Sequence, residues 1–284
     1  MEMKEYMLGL YEKAMPANLS WQEKLEAAQA AGFDFVEMSI DETDAKLARL
    51  DMSKEEREAI KAAVLATGVP IRSICLSGHR KYPLGSLDPN VRAYSLEMME
   101  KAVLLAADLG VRIIQIAGYD VYYDEGSSET EALFKENIAH CAMLAAAEGI
   151  VLGFETMETP FMDTVGKAMK YVNAVNSPYL GVYPDSGNLT NAALLYHSNL
   201  FTDIKSGEGH IVAFHLKETV PGKYREIPFG TGHVDFSAIV DLAWRLGVRR
   251  YVAEFWYTGS ETWQEDLLSA SRFIRQNFKQ EIAV

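Results

Sequence analysis

The chain has 284 residues, 49% of them hydrophobic and 24% charged, with a formal net charge of −13. That length suits one domain of about 250 residues with insertions, and no stretch approaches the roughly 18 apolar residues of a membrane span. The acidic balance repels a phosphate backbone at long range, so no nucleic acid and no membrane is expected as partner.

The start, Met1-Glu2-Met3-Lys4-Glu5-Tyr6, lacks the basic and then apolar order of a secretory signal. Cys75 and Cys141 are too few for a disulfide framework and read as buried small hydrophobes, so a cytoplasmic protein is expected. The pattern predicts a first strand at Met7 to Tyr11, a helix at Trp21 to Ala31 stopped by Gly32, and a second strand at Phe33 to Ser39. A charged loop, Asp41 to Asp51, precedes a helix opened by Ser53 with Glu56 three residues on, the spacing of a capping box, and ending near Gly68. Pro70 to Leu76 is the third strand. It is followed by a Gly-bounded basic loop, Ser77 to Ser86, and a helix from Pro89 to Leu109. Val111 to Ala117, a Tyr-rich loop from Gly118 to Ser128 and a helix from Glu129 to Glu148 complete the first half.

The second half keeps the rhythm, with strands at Val151 to Glu155, Leu180 to Tyr183, Ile211 to Leu216 and Arg250 to Phe255. Helices are expected at Thr164 to Val175, Asn188 to about Ser206, Ser237 to Leu246 and Gln264 to Phe278. Eight strands alternating with helices, without linker or repeat, predict one α/β domain over 1–284, a (β/α)8 TIM barrel. The short apolar runs read as parallel strands covered on both faces.

Four of these runs end on a metal-ligand type: Glu155, Asp185, His215 and Glu254. In a parallel barrel all C-terminal strand ends share one mouth, so the four converge as three oxygen donors and one nitrogen donor. Any one of them alone reads equally well as a helix cap or a loop ion pair. Together, on rigid strand ends, they suit one divalent ion such as Mn, Zn or Co. His140, His197, His210 and His233 read as structural, whereas His79 lies in the basic loop at the expected mouth.

The segments Gly32 to Ser39, Cys75 to Ser86, Ala117 to Tyr123, Tyr183 to Asn188 and Pro228 to Gly232 resemble the L-xylulose-5-phosphate 3-epimerases, also called L-ribulose-5-phosphate 3-epimerases. The resemblance spans essentially the whole chain, and Gly78, where alanine is expected, is the one departure. It implies membership of the xylose-isomerase-like barrel superfamily, in which a Glu, Asp, His, Glu quartet holds the metal. It also implies a role in bacterial L-ascorbate and L-xylulose breakdown, with a phosphorylated ketopentose as substrate; a homodimer is a further expectation.

The quartet by itself suits epimerisation next to a ketone. The C2 carbonyl acidifies the C3 proton, a metal would stabilise the enediolate, and inversion needs a base on each face. Glu155 and Glu254 are the expected catalytic pair, with Asp185 and His215 as ligands alone. His79, Arg80, Lys81 and Lys217 are the basic candidates for gripping the phosphate away from the metal; Lys217 reads equally well as a surface lysine paired with Glu218. Tyr119 reads as packing or as a sugar contact, and Asn188 as a hydroxyl contact. Rival readings are an aldose-ketose isomerase, an inosose-type dehydratase and a non-enzymatic sugar-phosphate binding barrel.

Overall fold

The computed structural model describes residues 5–278, so the opening Met1 to Lys4 and the expected domain limits of 1 and 284 lie outside the described residues. Strand β1 (Met7–Tyr11) runs through a 3-10 turn (Glu12–Ala14) to α1 (Trp21–Ala30). Strand β2 (Phe35–Ile40) is followed by a short α2 (Asp44–Leu47), a 3-10 turn (Ala48–Asp51) and α3 (Lys54–Thr67). Next come β3 (Ile71–Leu76), α4 (Pro89–Leu109), β4 (Ile113–Ala117) and α5 (Ser128–Ala147). Then follow β5 (Val151–Glu155), α6 (Val165–Val175), β6 (Leu180–Tyr183), α7 (Ser186–Leu195) and α8 (Leu200–Lys205). The chain closes with β7 (Phe214–Leu216), α9 (Phe236–Arg245), β8 (Arg250–Ala253) and α10 (Trp263–Gln276).

The strands pair in parallel in the order β6-β5-β4-β3-β2-β1-β8-β7. Parallel bridges Val182↔Ile211 and Asp185↔His215 join the two ends of that row. The result is a single-domain TIM barrel, as the sequence predicts. A Cβ on Gly181 would stand 2.4 Å from the His210 carbonyl oxygen, so glycine is what lets β6 and the segment before β7 meet. The capping box at Ser53 and Glu56 is present, and Gly68 ends α3 in the left-handed conformation at φ 70°.

The expected loop from Asp41 to Asp51 contains α2 and a 3-10 turn, β8 stops at Ala253 rather than Phe255, and two further elements differ from expectation. The single helix over 188–206 is two helices, because His197 adopts φ 50° between them and breaks the hydrogen-bond ladder. Strand β7 is shorter than Ile211 to Leu216; Val182 exchanges hydrogen bonds with His210 and Val212, but a continuous ladder begins only at Phe214. No helix among the described residues is long and apolar enough to cross a membrane. Cys75 and Cys141 are free and buried.

The strands alternate, which the reading of uniformly apolar runs does not anticipate. Val36, Met38, Ile74, Leu76, Phe154, Val182, Phe214 and Leu216 belong to the apolar layer shared with the helices. The intervening positions point into the barrel, where Tyr11, Phe35, Cys75, Ile113 and Tyr183 pack together below a polar layer. That polar layer is the candidate site.

Candidate metal centre

Glu155 ends β5, His215 lies within β7, and Asp185 and Glu254 follow β6 and β8 by one or two residues. Their backbones are fixed from outside the site: Asp185 N donates to Thr156 Oγ1 at 2.9 Å, His215 N to the Pro184 carbonyl and Glu254 N to the Leu216 carbonyl, both at 2.9 Å. All four side chains are buried, and each offers a donor atom to a group whose members lie within 4.8 Å of one another. A four-residue group that could hold a metal is therefore present. Asp185 also caps α7, its Oδ1 accepting from Asn188 N at 2.7 Å, so the helix-cap reading of this carboxylate holds beside its place in the group. Its Oδ2 is buried without a hydrogen-bond partner, as is Glu254 Oε2. Buried carboxylate oxygens without hydrogen bonds are costly, and two of them in one such group fit a divalent cation.

His215 fits the same cation. Its Nε2 lies 2.6 Å from Glu37 Oε1, while Nδ1 faces the cluster at 3.3 Å from Glu155 Oε1 and 3.5 Å from Glu254 Oε2. A carboxylate that holds one ring nitrogen as donor leaves the other for a metal. Burial opposes charge on this ring, but the carboxylates of Glu37 and Glu254 outweigh it and lift its pKa well above the usual range. The two glutamates are pushed apart. Burial raises Glu155, with the Glu254 charge adding to it. Burial acts on Glu254 in the same direction, but Lys217 and His215 outweigh it and bring it below the ordinary value.

Glu37 is a site residue that the sequence reading missed. It is fully buried in β2, and its Oε2 accepts from Ser73 Oγ at 2.6 Å and from Tyr183 OH at 2.9 Å. The β2–β3 register shifts between Val36 and Glu37, a bulge that sets Glu37 beside Ser73. A charged residue inside an apolar parallel strand was the available signal, since such a charge must be paired. Gln115 is the second omission: its Nε2 donates to Glu155 Oε2 across the β4–β5 pair.

The proposed phosphate-gripping residues do not stay together. Lys217 is buried, with Nζ 3.2 Å from both Asp185 Oδ1 and Glu254 Oε2, so it sits at the quartet rather than away from it. It is not Glu218's partner either; that carboxylate accepts from the backbone of Thr219, Gly230 and Val234. His79 is buried against α4, its Nε2 3.2 Å from the Ser95 carbonyl, and burial pushes its pKa down to about 4. A neutral ring spent on a backbone carbonyl is no phosphate cation at neutral pH. Lys81 is exposed, 5.3 Å from the Tyr82 ring centroid.

Arg80 remains. It lies over Tyr122 at 4.7 Å, donates to the buried Tyr119 OH at 3.3 Å, and keeps a buried Nε without a partner. Asn188 is buried, its Nδ2 donating to the Thr156 carbonyl at 2.7 Å and its Oδ1 unpartnered. A cavity of about 450 Å³ lies between Pro228–Phe229, Phe255–Thr258 and the α10 face that carries Trp263, Asp266 and Phe273. Trp256, which lines it, is 6.0 Å from Lys217 Nζ. The cavity itself carries none of the four ligands, so the chemistry belongs to the quartet.

Residues 25–276 match the family described as xylose isomerase-like TIM barrel. Over 273 residues, 96% of this chain and 95% of the relative, the sequence is 42% identical to L-ribulose-5-phosphate 3-epimerase UlaE of Salmonella paratyphi A; UlaE of Salmonella typhimurium gives the same identity and coverage. A solved D-allulose 3-epimerase from Methylomonas sp., in complex with D-allulose, has a TM-score of 0.79 at 18% identity, covering 97% of this chain and 98% of that one. A solved L-ribulose 3-epimerase has a TM-score of 0.72 at 18% identity, covering 95% of this chain and 92% of that one. These two likenesses carry the fold. The chain belongs to the xylose isomerase-like TIM barrel family and, inside it, to the family of the L-ribulose-5-phosphate 3-epimerases.

Proposed function

We propose that this protein is an isomerase that interconverts L-ribulose 5-phosphate and L-xylulose 5-phosphate by inverting C3, in the breakdown of L-ascorbate in the cytoplasm. The observation that carries the reading is the convergence of Glu155, Asp185, His215 and Glu254 at one barrel mouth in a chain 42% identical to a named 3-epimerase. Glu155, Asp185, His215 and Glu254 would hold one divalent ion, Mn, Zn or Co, which would supply Lewis-acid stabilisation of developing negative charge. Glu155 and Glu254 come from β5 and β8, and in this reading one carboxylate serves each face of C3. One takes the C3 proton as the C–H pair moves into a C2=C3 double bond; the other returns a proton to the opposite face.

Arg80 is the residue assigned to the phosphate, because its buried Nε has no partner and its charge is fixed by Tyr119 and Tyr122. Asn188 keeps the hydroxyl-contact assignment through its unpartnered Oδ1. The quaternary part of the reading, a homodimer, is checked by sedimentation, and a single-chain mass removes it. Proton NMR in deuterated water tests the reaction. Exchange at C3 with appearance of the second epimer is expected. Exchange at C1 or C2, a dehydrated product, or no change would replace this reading by isomerase, dehydratase or binding protein respectively.

A further inference from the structure

We infer that Lys217 is a third catalytic group, an ammonium that donates a hydrogen bond to the ketose oxygen on which charge collects as the C3 proton leaves. The inference rests on the epimerase reading and adds to it an electrophile other than a metal. His215 and Lys217 are two residues apart along β7 and its extension, so both face the barrel interior. The backbone of Lys217 is clamped rather than loose: its N donates to Ser186 Oγ at 2.9 Å and its carbonyl accepts from the same hydroxyl at 3.0 Å. The side chain is 5% exposed, which is rare for a lysine unless its charge is used.

The partners of that charge are what separate function from packing. Nζ is 3.2 Å from Asp185 Oδ1, an oxygen already holding the Asn188 N–H. It is also 3.2 Å from Glu254 Oε2, an ion pair. An ammonium has three N–H donors, one more than these two carboxylate contacts engage. The Trp256 ring centroid lies 6.0 Å from Nζ. A positive donor therefore stands beside one of the two proton-transferring carboxylates, buried from solvent, where a fixed charge acts strongly.

The step balances without an oxidant or reductant. The C3–H bond breaks, its proton goes to one glutamate, the C–H pair forms the C2=C3 bond, and the carbonyl π pair moves onto O2, where Lys217 N–H meets it. Reprotonation at C3 by the other glutamate reverses each shift. Lys217 stays an ammonium throughout.

The test uses the metal-replete full chain and variants Lys217→Met and Lys217→Arg, with metal content and melting temperature measured on each. Lys217→Met is expected to lower kcat by about 10²- to 10³-fold, the value of one transition-state donor, with KM within about 3-fold. Its affinity for a planar enediolate mimic, the hydroxamate of a phosphorylated four-carbon sugar acid, is expected to fall by a similar factor while affinity for the ketose holds. Lys217→Arg keeps the charge and the ion pairs but moves the donor, and is expected to lose at least about 10-fold in kcat. A Lys217→Met enzyme that turns over and binds the mimic like wild type overturns the inference, as does wild-type kcat in Lys217→Arg. Deuterium exchange at C3 separates the two readings: wild type without exchange removes the epimerase reaction and this role with it, whereas equal exchange by wild type and Lys217→Met removes the lysine alone.

Discussion

Two buried charge clusters lie in this barrel, and they are built on opposite principles. After β1, the carboxylate of Glu12 is surrounded by Lys24 and Lys46, each at 2.7 Å, by both terminal nitrogens of Arg49, and by Ser39 N at 2.9 Å. Every oxygen there has at least two partners, and cations outnumber carboxylates. At the ends of β5 to β8 the balance is reversed: Glu155, Asp185 and Glu254 share one lysine and one histidine, and Asp185 Oδ2 and Glu254 Oε2 lack hydrogen bonds. Satisfied buried charge holds a fold in one arrangement, whereas unsatisfied buried charge is paid for by a ligand. The Glu12 cluster ties the β1 and β2 loops together; the quartet is where chemistry is expected.

The largest effects should come from the unsatisfied cluster. Glu155→Gln and Glu254→Gln, shown by metal analysis to be loaded, are each expected to lose about 10²- to 10⁴-fold in interconversion. Each should still exchange C3 deuterium from the epimer facing its intact glutamate. Equal exchange of both epimers by both variants would leave the two-base division without support.

The satisfied cluster should respond in stability instead. Glu12→Gln leaves buried Lys24 and half-buried Lys46 and Arg49 around a neutral amide and is expected to cost about 3–5 kcal/mol in urea unfolding, with unchanged kcat per folded molecule. The pH dependence follows from the direction of the shift. Burial pushes the Glu12 carboxyl up, but Arg49, Lys46 and Lys24 outweigh it and hold it far below its ordinary 4.5. Its contribution is therefore complete above about pH 4.5 and is lost as pH falls through the depressed folded value. The wild-type acid limb should be steeper than that of Glu12→Gln; superimposable limbs would contradict the cluster's role.

Between the two clusters in size lies Glu37, which holds the quartet's His215 but is itself satisfied. Glu37→Gln is expected to weaken divalent metal binding about 10- to 100-fold in chelator competition, through loss of its hold on His215, with little change in secondary structure. Unchanged metal affinity would make Glu37 a packing residue.

Arg80 and His79, adjacent in sequence, should differ in kind by the smallest margin. Arg80→Ala is expected to raise KM for the phosphorylated ketose about 10- to 100-fold, from the roughly 1.5–3 kcal/mol of a charged hydrogen bond, and much less for the unphosphorylated sugar. His79→Ala should change stability by about 1–3 kcal/mol and leave that KM ratio alone. Equal KM effects of Arg80→Ala on both sugars would take the phosphate away from Arg80.

The sequence by itself determined the barrel, the strand ends and the convergence of Glu155, Asp185, His215 and Glu254. Each of these follows from local pattern: short apolar runs fix the strands, and a parallel ring places all their C-terminal ends at one mouth. What it left undecided depends on partners far along the chain. Glu37 meets His215 178 positions away, so a carboxylate in mid-strand carries no visible purpose until the barrel closes. Lys217 and Glu218 are neighbours in sequence, yet alternation along the chain sends one to the quartet and the other to the amides of Gly230 and Val234. His79 and Arg80 sit in one basic loop, and only packing against α4 and the Tyr119–Tyr122 pair buries the first as a neutral ring and holds the second against two tyrosines. Charge and burial are properties of the surroundings, and in a barrel the surroundings of each side chain come from strands dozens of residues apart.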